Sequence, residues 1–572
     1  MSPAIAGQGA ETSRDLPQTL GGMLRRTAQL YPDRPAHMEA HGSEYVSLSF
    51  SELYRRVYQV ARALHALGLR SGDRLALLGE NSSAWAQVDW AAQSLGLVTV
   101  PIYPTLTPAQ ARYIASDSGC KAAIVGSEAL GTKLEDLPEL RVVTFEELDH
   151  LVSESTLERE AWEAGIEGPG GEAPATIIYT SGTTGEPKGA VLPHRAFVSL
   201  AYAAPKSLPV NEHDVFLSYL PLSHVYERMA GHVLPMAIGA CVAYSGGAAK
   251  LASDLIAVRP TIFLAVPRLL EAIQGRILDA IRKQPWPRRA MFHWALDQGT
   301  KRSQARFAPF AGILDRIVGE KIRARTGGRM RFFVSGGAAL PAHVAQFYLA
   351  FRLTVLQGYG LTETCGANCV NHPDRNDPST VGEPLEGVEI RIASDGEILI
   401  RGQCVMKEYY HLPDATAAAI DSEGWFHTGD IGEMVGGKLK ITDRKKDILV
   451  LGNGKNVAPQ PIENRLRESE WIAEAVLFGD GMEQVVALIV PDLARYEALK
   501  EEVGGDARGI RELVQEHIKH VNSELADYER VRRFDLLETP FSIESGELTP
   551  TLKVRRKVVA ERYADRIAAL TR

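Results

Sequence analysis

At 572 residues the chain is too long for one hydrophobic core, and its 45% hydrophobic and 23% charged content is that of an ordinary globular protein, which excludes collagen-like, coiled-coil and wholly disordered classes. Its 63 Lys and Arg against 71 Asp and Glu give a net charge of −8, which argues against chain-wide nucleic-acid binding, since that needs concentrated positive charge. The five cysteines (Cys120, Cys241, Cys365, Cys369 and Cys404) are too sparse, and odd in number, for a disulfide framework, and point to a reducing compartment.

Residues 1–15 are small and polar, with no apolar run of the kind a secretion signal needs, and read as a frayed tail. Ser49 is placed to open a helix over Phe50–Leu67, which Gly68 ends. Arg74–Gly79 reads as a short buried strand, Trp85–Leu95 as a helix, and Val98–Tyr103 and Ala122–Val125 as strands. Strand and helix alternating at this spacing predict an α/β fold of parallel βαβ units with helices packed on the sheets. Two long uncharged stretches, Trp90–Ala111 and Met229–Ala249, are broken by prolines, glycines and a histidine. They therefore read as core strands and helices and not as membrane spans.

Between Ile281 and Met330 the texture changes. This window carries twelve Lys and Arg against three Asp and Glu, so it holds +9 while the rest of the chain holds −17. Trp286, Phe292, Trp294, Phe307, Phe310, Ile313, Leu314 and Ile317 are interleaved with the charges. A basic amphipathic surface for anionic membrane or phosphates is one reading. A solvated helical pair whose apolar stripe packs on the core is the preferred one.

A second boundary falls at Thr442–Asp447. Beyond it Ile472–Phe478 and Val485–Val490 read as strands and Ala507–Leu525 as a helix. The organisation predicted is a tail over 1–15, a large N-terminal domain over 16–442, a hinge over 443–447 and a small α+β domain over 448–572.

The most informative segment is Tyr179–His194, YTSGTTGEPKGAVLPH, after the strand-like Ala175–Ile178. Glycines let backbone N–H groups approach an anion, and Ser and Thr hydroxyls add donors around a polyphosphate. It is not a Walker A loop: Pro187 stands where a glycine is needed, and Gly189 where Ser or Thr should follow Lys188. Cys365, Cys369 and His372 are close enough to suggest a metal site, but a fourth ligand is missing. A loop with two free thiols is the simpler reading. No metalloprotease HExxH, hydrolase GxSxG or dinucleotide GxGxxG motif occurs in a suitable context.

The Tyr179–His194 segment resembles the signature loop of the adenylate-forming superfamily, which includes acyl- and aryl-CoA synthetases, firefly luciferase and peptide-synthetase adenylation domains. Six further segments match that family's motifs in order: LPLSHVYER (Leu220–Arg228), SGGAAL (Ser335–Leu340), GYGLTET (Gly358–Thr364), GWFHTGDIG (Gly424–Gly432), TDRKKD (Thr442–Asp447) and GELTPTLKVRR (Gly546–Arg556). Together they span almost the whole chain.

The resemblance implies roles residue by residue. Thr180, Ser181, Gly182, Thr183, Thr184, Gly185 and Lys188 would cradle the phosphates of ATP. Gly336, Gly337 and Ala338 on one side, and Gln357, Gly358, Tyr359 and Gly360 on the other, would enclose the adenine. Thr362 would meet the α-phosphate, and Glu363, helped by Thr180, would hold Mg²⁺, a hard cation that takes oxygen ligands. Asp430 would accept the ribose hydroxyls and Arg444 would reach the ribose. His224 would border the acyl pocket, Lys446 would be the hinge, and Gly454 would lie where coenzyme A approaches. Lys553 would be the catalytic cation bridging carboxylate and α-phosphate; the family more often has Gly where Leu552 precedes it.

LPLSHVYER, GNGKNVAPQPIE and LTPTLKVRRK look most like the long-chain fatty-acyl-CoA synthetase branch. The implied reaction is a fatty acid with ATP, then coenzyme A, giving acyl-CoA, AMP and pyrophosphate. The alternatives are a ligase that hands acyl-AMP to a carrier protein, and a non-catalytic ATP- or lipid-sensing protein of the same fold. A cytoplasmic location is expected, with peripheral contact at the inner membrane face through 281–330. A homodimer is one option for the oligomeric state, and no nucleic-acid partner is expected.

Overall fold

The computed structural model describes residues 16–42, 44–180, 187–502, 509–542, 544–548 and 554–571. The tail over 1–15, Ser181, Gly182, Thr183, Thr184, Gly185 and Lys553 lie outside the described residues. The chain is a mixed α/β protein of two compact units. The larger comprises residues up to 337 with 346–390 and 400–426; the smaller comprises 338–345, 391–399 and 427 onward.

In the larger unit the Ser49 side chain and Glu52 form a reciprocal capping box at the start of the helix Phe50–Ala66, which supplies partners for two otherwise orphaned backbone donors. The alternation then builds a seven-stranded sheet in the order Glu408–Tyr409, Lys188–Pro193, Pro174–Thr180, Val98–Ile102, Arg74–Leu78, Ala122–Val125, Arg141–Thr144. Its central pairs are parallel, as crossover helices require. Pro174–Thr180 and Lys188–Pro193 run antiparallel and place Thr180 opposite Lys188, so the glycine-rich segment joins two adjacent strands.

A nine-stranded sheet takes the order Glu383–Pro384, Cys369–Val370, Thr354–Tyr359, Phe332–Ser335, Ile262–Ala265, Val215–Ser218, Cys241–Tyr244, Pro35–His41, Glu44–Ser49. Ile262–Ala265, Phe332–Ser335 and Thr354–Tyr359 pair in parallel. Both predicted core stretches are interior. Trp90, Val100 and Ile102 are buried, as are Met229, Val233 and Ala243. No helix among the described residues is long and apolar enough to cross a membrane.

The basic segment departs from the preferred expectation. Helix Trp286–Ser303 buries Phe292, Ala295, Gln298 and Gly299, and the next turns bury Ala311, Leu314 and Val318. Only Phe292 and Leu314 of the eight apolar residues noted in sequence pack inward; Trp286, Trp294, Phe307, Phe310, Ile313 and Ile317 are exposed. The inward face includes Ala295 and Gly299 beside Phe292, and the helix lies so close to its neighbour that a Cβ on Gly299 would sit 2.2 Å from the Ala350 carbonyl oxygen.

In the smaller unit, strands Ile472–Phe478, Val485–Pro491 and Val531–Leu536 form a sheet. Its core includes Leu477, Ala487 and Ile489 with Val514 and Ile518, the last two from helix Ile510–Ser523. A hairpin pairs Phe426–Val435 with Lys438–Arg444, placing Asp430 opposite Arg444.

Candidate active site

Three motifs of the larger unit meet around the LPLSHVYER segment. Asn81 fixes its start: its side-chain amide donates to the Leu220 carbonyl at 2.6 Å and accepts from the Leu222 N–H at 2.9 Å. His224 caps the short helix Val225–Glu227, its Nδ1 accepting from the Tyr226 N–H at 3.1 Å. The His224 ring stands edge-on to Tyr103, with centroids 6.4 Å apart. Tyr226 reaches the nine-stranded sheet, donating from its hydroxyl to the Val334 carbonyl at 2.8 Å. Gly336 lies against the Tyr226 ring, where a Cβ would come within 3.0 Å of it. That contact explains a glycine at the start of the SGG turn.

GYGLTET follows strand Thr354–Tyr359 and turns through Thr362–Thr364. The turn folds back so tightly that a Cβ on Gly360 would lie 2.4 Å from the Gly366 carbonyl group. Tyr359 is largely buried, and Gln357 is held by a 2.5 Å bond from its side-chain amide to the Pro378 carbonyl. Glu363 accepts from the Tyr409 hydroxyl at Oε1, 2.8 Å away, and its carbonyl accepts from the Met406 N–H at 2.7 Å. Lys188 lies over the Tyr409 ring, its Nζ 5.2 Å from the centroid. Tyr409 thus joins the signature hairpin to the Glu363 turn. Burial, followed by the nearby Glu363 carboxylate, pushes its phenol well above the ordinary range, so it remains a hydrogen-bond donor.

Tyr409 is a residue the sequence reading missed. It sits in an unperiodic KEYYH run and becomes adjacent to Lys188 only because Glu408–Tyr409 pairs with the strand Lys188–Pro193. Asp89, in the helix Ser83–Ser94, was missed because its partner lies 139 residues along the chain. Arg228, the last residue of LPLSHVYER, is fully buried and contacts Asp89 through Nε at 3.1 Å and Nη2 at 2.5 Å. Its guanidinium also donates to Thr176 at 2.6 Å and Thr99 at 2.7 Å, residues of the seven-stranded sheet. The segment therefore ties one sheet through Tyr226 and the other through Arg228. Burial opposes ionisation of Asp89, but Arg228, with His232 and Gln93, holds its carboxyl at about 2. Burial lowers the His232 pKa, which leaves a neutral ring beside the pair.

Glu227 is the opposite case. It is buried, and neither carboxylate oxygen completes a hydrogen bond among the described residues. Burial pushes its carboxyl up to about 8, and the Ser218 hydroxyl opposes that rise only in part. The group is therefore mostly protonated at neutral pH.

In the smaller unit, Asp430 is buried and its Oδ1 lies 3.3 Å from Nε of the half-exposed Arg444. Lys445 binds Asp395 at 2.6 Å and Glu397 at 3.0 Å, and Glu397 also accepts from the Gly429 N–H at 2.9 Å. Burial pushes the neighbouring Asp443 carboxyl up to about 6, although it accepts from the Gln460 N–H at 2.9 Å. Lys446 is exposed. Gly454 lies in a turn between Leu449–Val450 and Asn456–Val457 with a φ of 79°, in the left-handed region that favours glycine. Ala338, at the end of the SGG turn, is exposed. Cys365 and Cys369 are buried free thiols, and no cluster of three potential metal-ligating side chains occurs among the described residues.

In the larger unit, then, Lys188 and Glu363 both meet Tyr409, and Tyr226 packs against Gly336. A family model described as AMP-binding enzyme matches residues 24–410, and one described as AMP-binding enzyme C-terminal domain matches 446–572. The chain belongs to the AMP-binding enzyme family. Its relatives include the long-chain-fatty-acid–CoA ligase FadD15 of Mycobacterium bovis, 34% identical with 94% of each chain covered. Another is the peroxisomal long chain acyl-CoA synthetase 6 of Arabidopsis thaliana, 33% identical over 87% of this chain and 78% of the relative. Among solved structures, a Mycobacterium tuberculosis fatty acyl CoA synthetase superposes with a TM-score of 0.66 at 26% identity, covering 96% of this chain and 99% of that one. An anthranilate CoA ligase in complex with anthranoyl-AMP shares the fold, with a TM-score of 0.75 at 22% identity and coverage of 98% and 99%.

Proposed function

We propose that the protein is an AMP-forming long-chain fatty acid–CoA ligase. The observation that carries this reading is the Lys188–Tyr409–Glu363 arrangement, which joins a basic group on the phosphate-loop hairpin to a carboxylate in the adenine motif. The near full-length likeness to long-chain ligases supports the substrate class.

In this reading the fatty-acid carboxylate attacks the α-phosphorus of ATP, the bond to pyrophosphate breaks, and acyl-AMP forms. The thiol of coenzyme A then attacks the acyl carbon and AMP leaves. Thr180, Ser181, Gly182, Thr183, Thr184, Gly185 and Lys188 bind phosphate, while Tyr359 and the Gly336–Ala338 turn enclose adenine. Asp430 and Arg444 hold the ribose, Thr362 meets the α-phosphate, and His224 borders the acyl chain. Tyr409 occupies one oxygen of Glu363 and leaves the other to a cation. The oxygen donors of Glu363 and Thr180 fit Mg²⁺, which when bound would neutralise phosphate charge. Lys553 stabilises charge in the first transition state, Lys446 lies within the hinge over 443–447, and Gly454 lies on the approach of coenzyme A. The same reading places the protein in the cytoplasm, with peripheral contact at the inner membrane face through 281–330 and with self-association as a homodimer to be measured by light scattering.

A panel of acids from short to long, with aryl acids included, tests this directly when AMP and acyl-CoA are quantified separately. Equal AMP and acyl-CoA, greatest with long chains, is expected. AMP or acyl-AMP without acyl-CoA would point to a carrier-protein ligase, and no turnover of any acid to a non-catalytic sensor.

A further inference from the structure

Six large apolar side chains between Trp286 and Ile317 face solvent. Trp286 is 75% exposed, Phe307 87% and Ile313 63%, with Trp294, Phe310 and Ile317 beside them in sequence. The Trp294 and Phe310 rings touch, with centroids 5.2 Å apart, so helix Trp286–Ser303 and the following turn present one surface. An exposed apolar group of this size on a soluble protein marks a contact surface.

The cations around it fall into two sets. Arg302 donates to the Ala350 carbonyl at 3.0 Å, and Arg323 binds Asp315 and the Phe351 carbonyl, both at 2.8 Å. These two fasten the segment to the larger unit. Arg289, Arg306, Arg316, Lys321 and Arg325 are exposed, and the exposed Arg288 donates to the neutral side-chain amide oxygen of Gln284 at 3.0 Å. The surface combines outward aromatics with outward cations in a window of +9, on a chain otherwise at −17.

We infer that residues 286–317 form a docking surface for an anionic phospholipid bilayer, with Trp286, Phe307 and Ile313 entering the interface and Arg288, Arg289 and Arg306 pairing with lipid phosphates. Charge complementarity selects this occupant, because a second copy would bring its own +9 window against this one in a symmetric pair. Aromatic side chains favour the boundary between headgroups and acyl chains, and arginine stems lie along apolar surface while their heads stay with phosphate. The aromatics make part of the attachment resistant to salt, whereas the cations make it selective for negative lipid. The inference deepens the peripheral-contact part of the proposed function and does not depend on the ligase chemistry.

The test is co-sedimentation of the full chain with mixed phosphatidylcholine–phosphatidylglycerol vesicles and with pure phosphatidylcholine vesicles, at low and high salt. The wild type should pellet with the mixed vesicles and retain part of that binding in high salt. A Trp286→Ser/Phe307→Ser/Ile313→Ser variant should lose the salt-resistant part, and Arg288→Gln/Arg289→Gln/Arg306→Gln the preference for negative lipid, each by about tenfold or more. ATP–pyrophosphate exchange with a soluble medium-chain acid should be unchanged in both variants, which checks their folding; its absence in the wild type would sink the ligase reading and leave the docking result standing. Wild type that stays in the supernatant with both vesicle types at low salt overturns the inference. So does a lipid-free dimer that the apolar triple variant dissolves, since the surface would then be an interface between copies.

Discussion

Two motif arginines, Arg228 and Arg444, each pair with an aspartate, and the two pairs differ in burial. Arg228 and Asp89 are 0% and 1% exposed at their side chains, with two contacts between them and two threonine acceptors besides. Arg444 is 41% exposed and meets Asp430 through one 3.3 Å contact. The first arginine has its donors committed to protein groups and its aspartate has no solvent to turn to, so the pair joins elements of the larger unit. The second keeps donors that a ligand can engage. An arginine inside a functional motif is therefore structural or ligand-facing according to burial and the number of fixed partners, which a motif does not encode.

Asp89→Ala should break this comparison most severely. It leaves a buried guanidinium without its counter-charge, a change that costs about 3–5 kcal/mol. Urea unfolding of the variant measures it, and a loss under about 1 kcal/mol would mean that the buried pair behaves like a surface one.

Glu227→Gln sharpens the contrast from the other side, because Glu227 sits next to Arg228 in sequence yet pairs with no cation among the described residues. Its folded-state value of about 8 lies above the ordinary 4.5, so the native state holds a proton that the unfolded chain releases. The stability this proton supplies is complete below about pH 4.5 and is lost progressively as pH rises through about 8. The glutamine variant lacks that slope and should exceed the wild type at pH 7 by roughly 2–4 kcal/mol, with little difference near pH 4.5. Parallel stability curves for the two proteins between pH 5 and 8 would refute the burial argument.

Arg444→Ala should have the smallest effect on folding, within about 1 kcal/mol, as for partly exposed pairs. ATP–pyrophosphate exchange should nonetheless fall. A variant that unfolds easily while retaining exchange would place Arg444 with Arg228 as a structural residue.

The local elements were legible because their signals are local. Ala122–Val125 and Ile472–Phe478 coincide with the expected strands, and the Ser49 cap stands three residues before Glu52 as a capping box requires. The Asp89–Arg228 pair was not legible, since its partners are 139 residues apart and a lone aspartate within SAWAQVDWAAQS has no distinguishing pattern. Tyr409 depends on a two-residue edge strand, too short to show alternation. The basic helix misled because periodicity identifies an apolar face only when the large residues are the buried ones. Close packing against Ala350 puts Gly299 and Ala295 on the inward face and leaves Trp286 and Trp294 outside.

The two-step chemistry is tested most directly by Lys553→Ala, assayed separately for acyl-AMP formation and for thioester formation from supplied acyl-AMP. A cation needed only where charge develops at the α-phosphate lowers the first rate by about 10²–10³ and largely spares the second. Equal loss in both half-reactions would contradict the account.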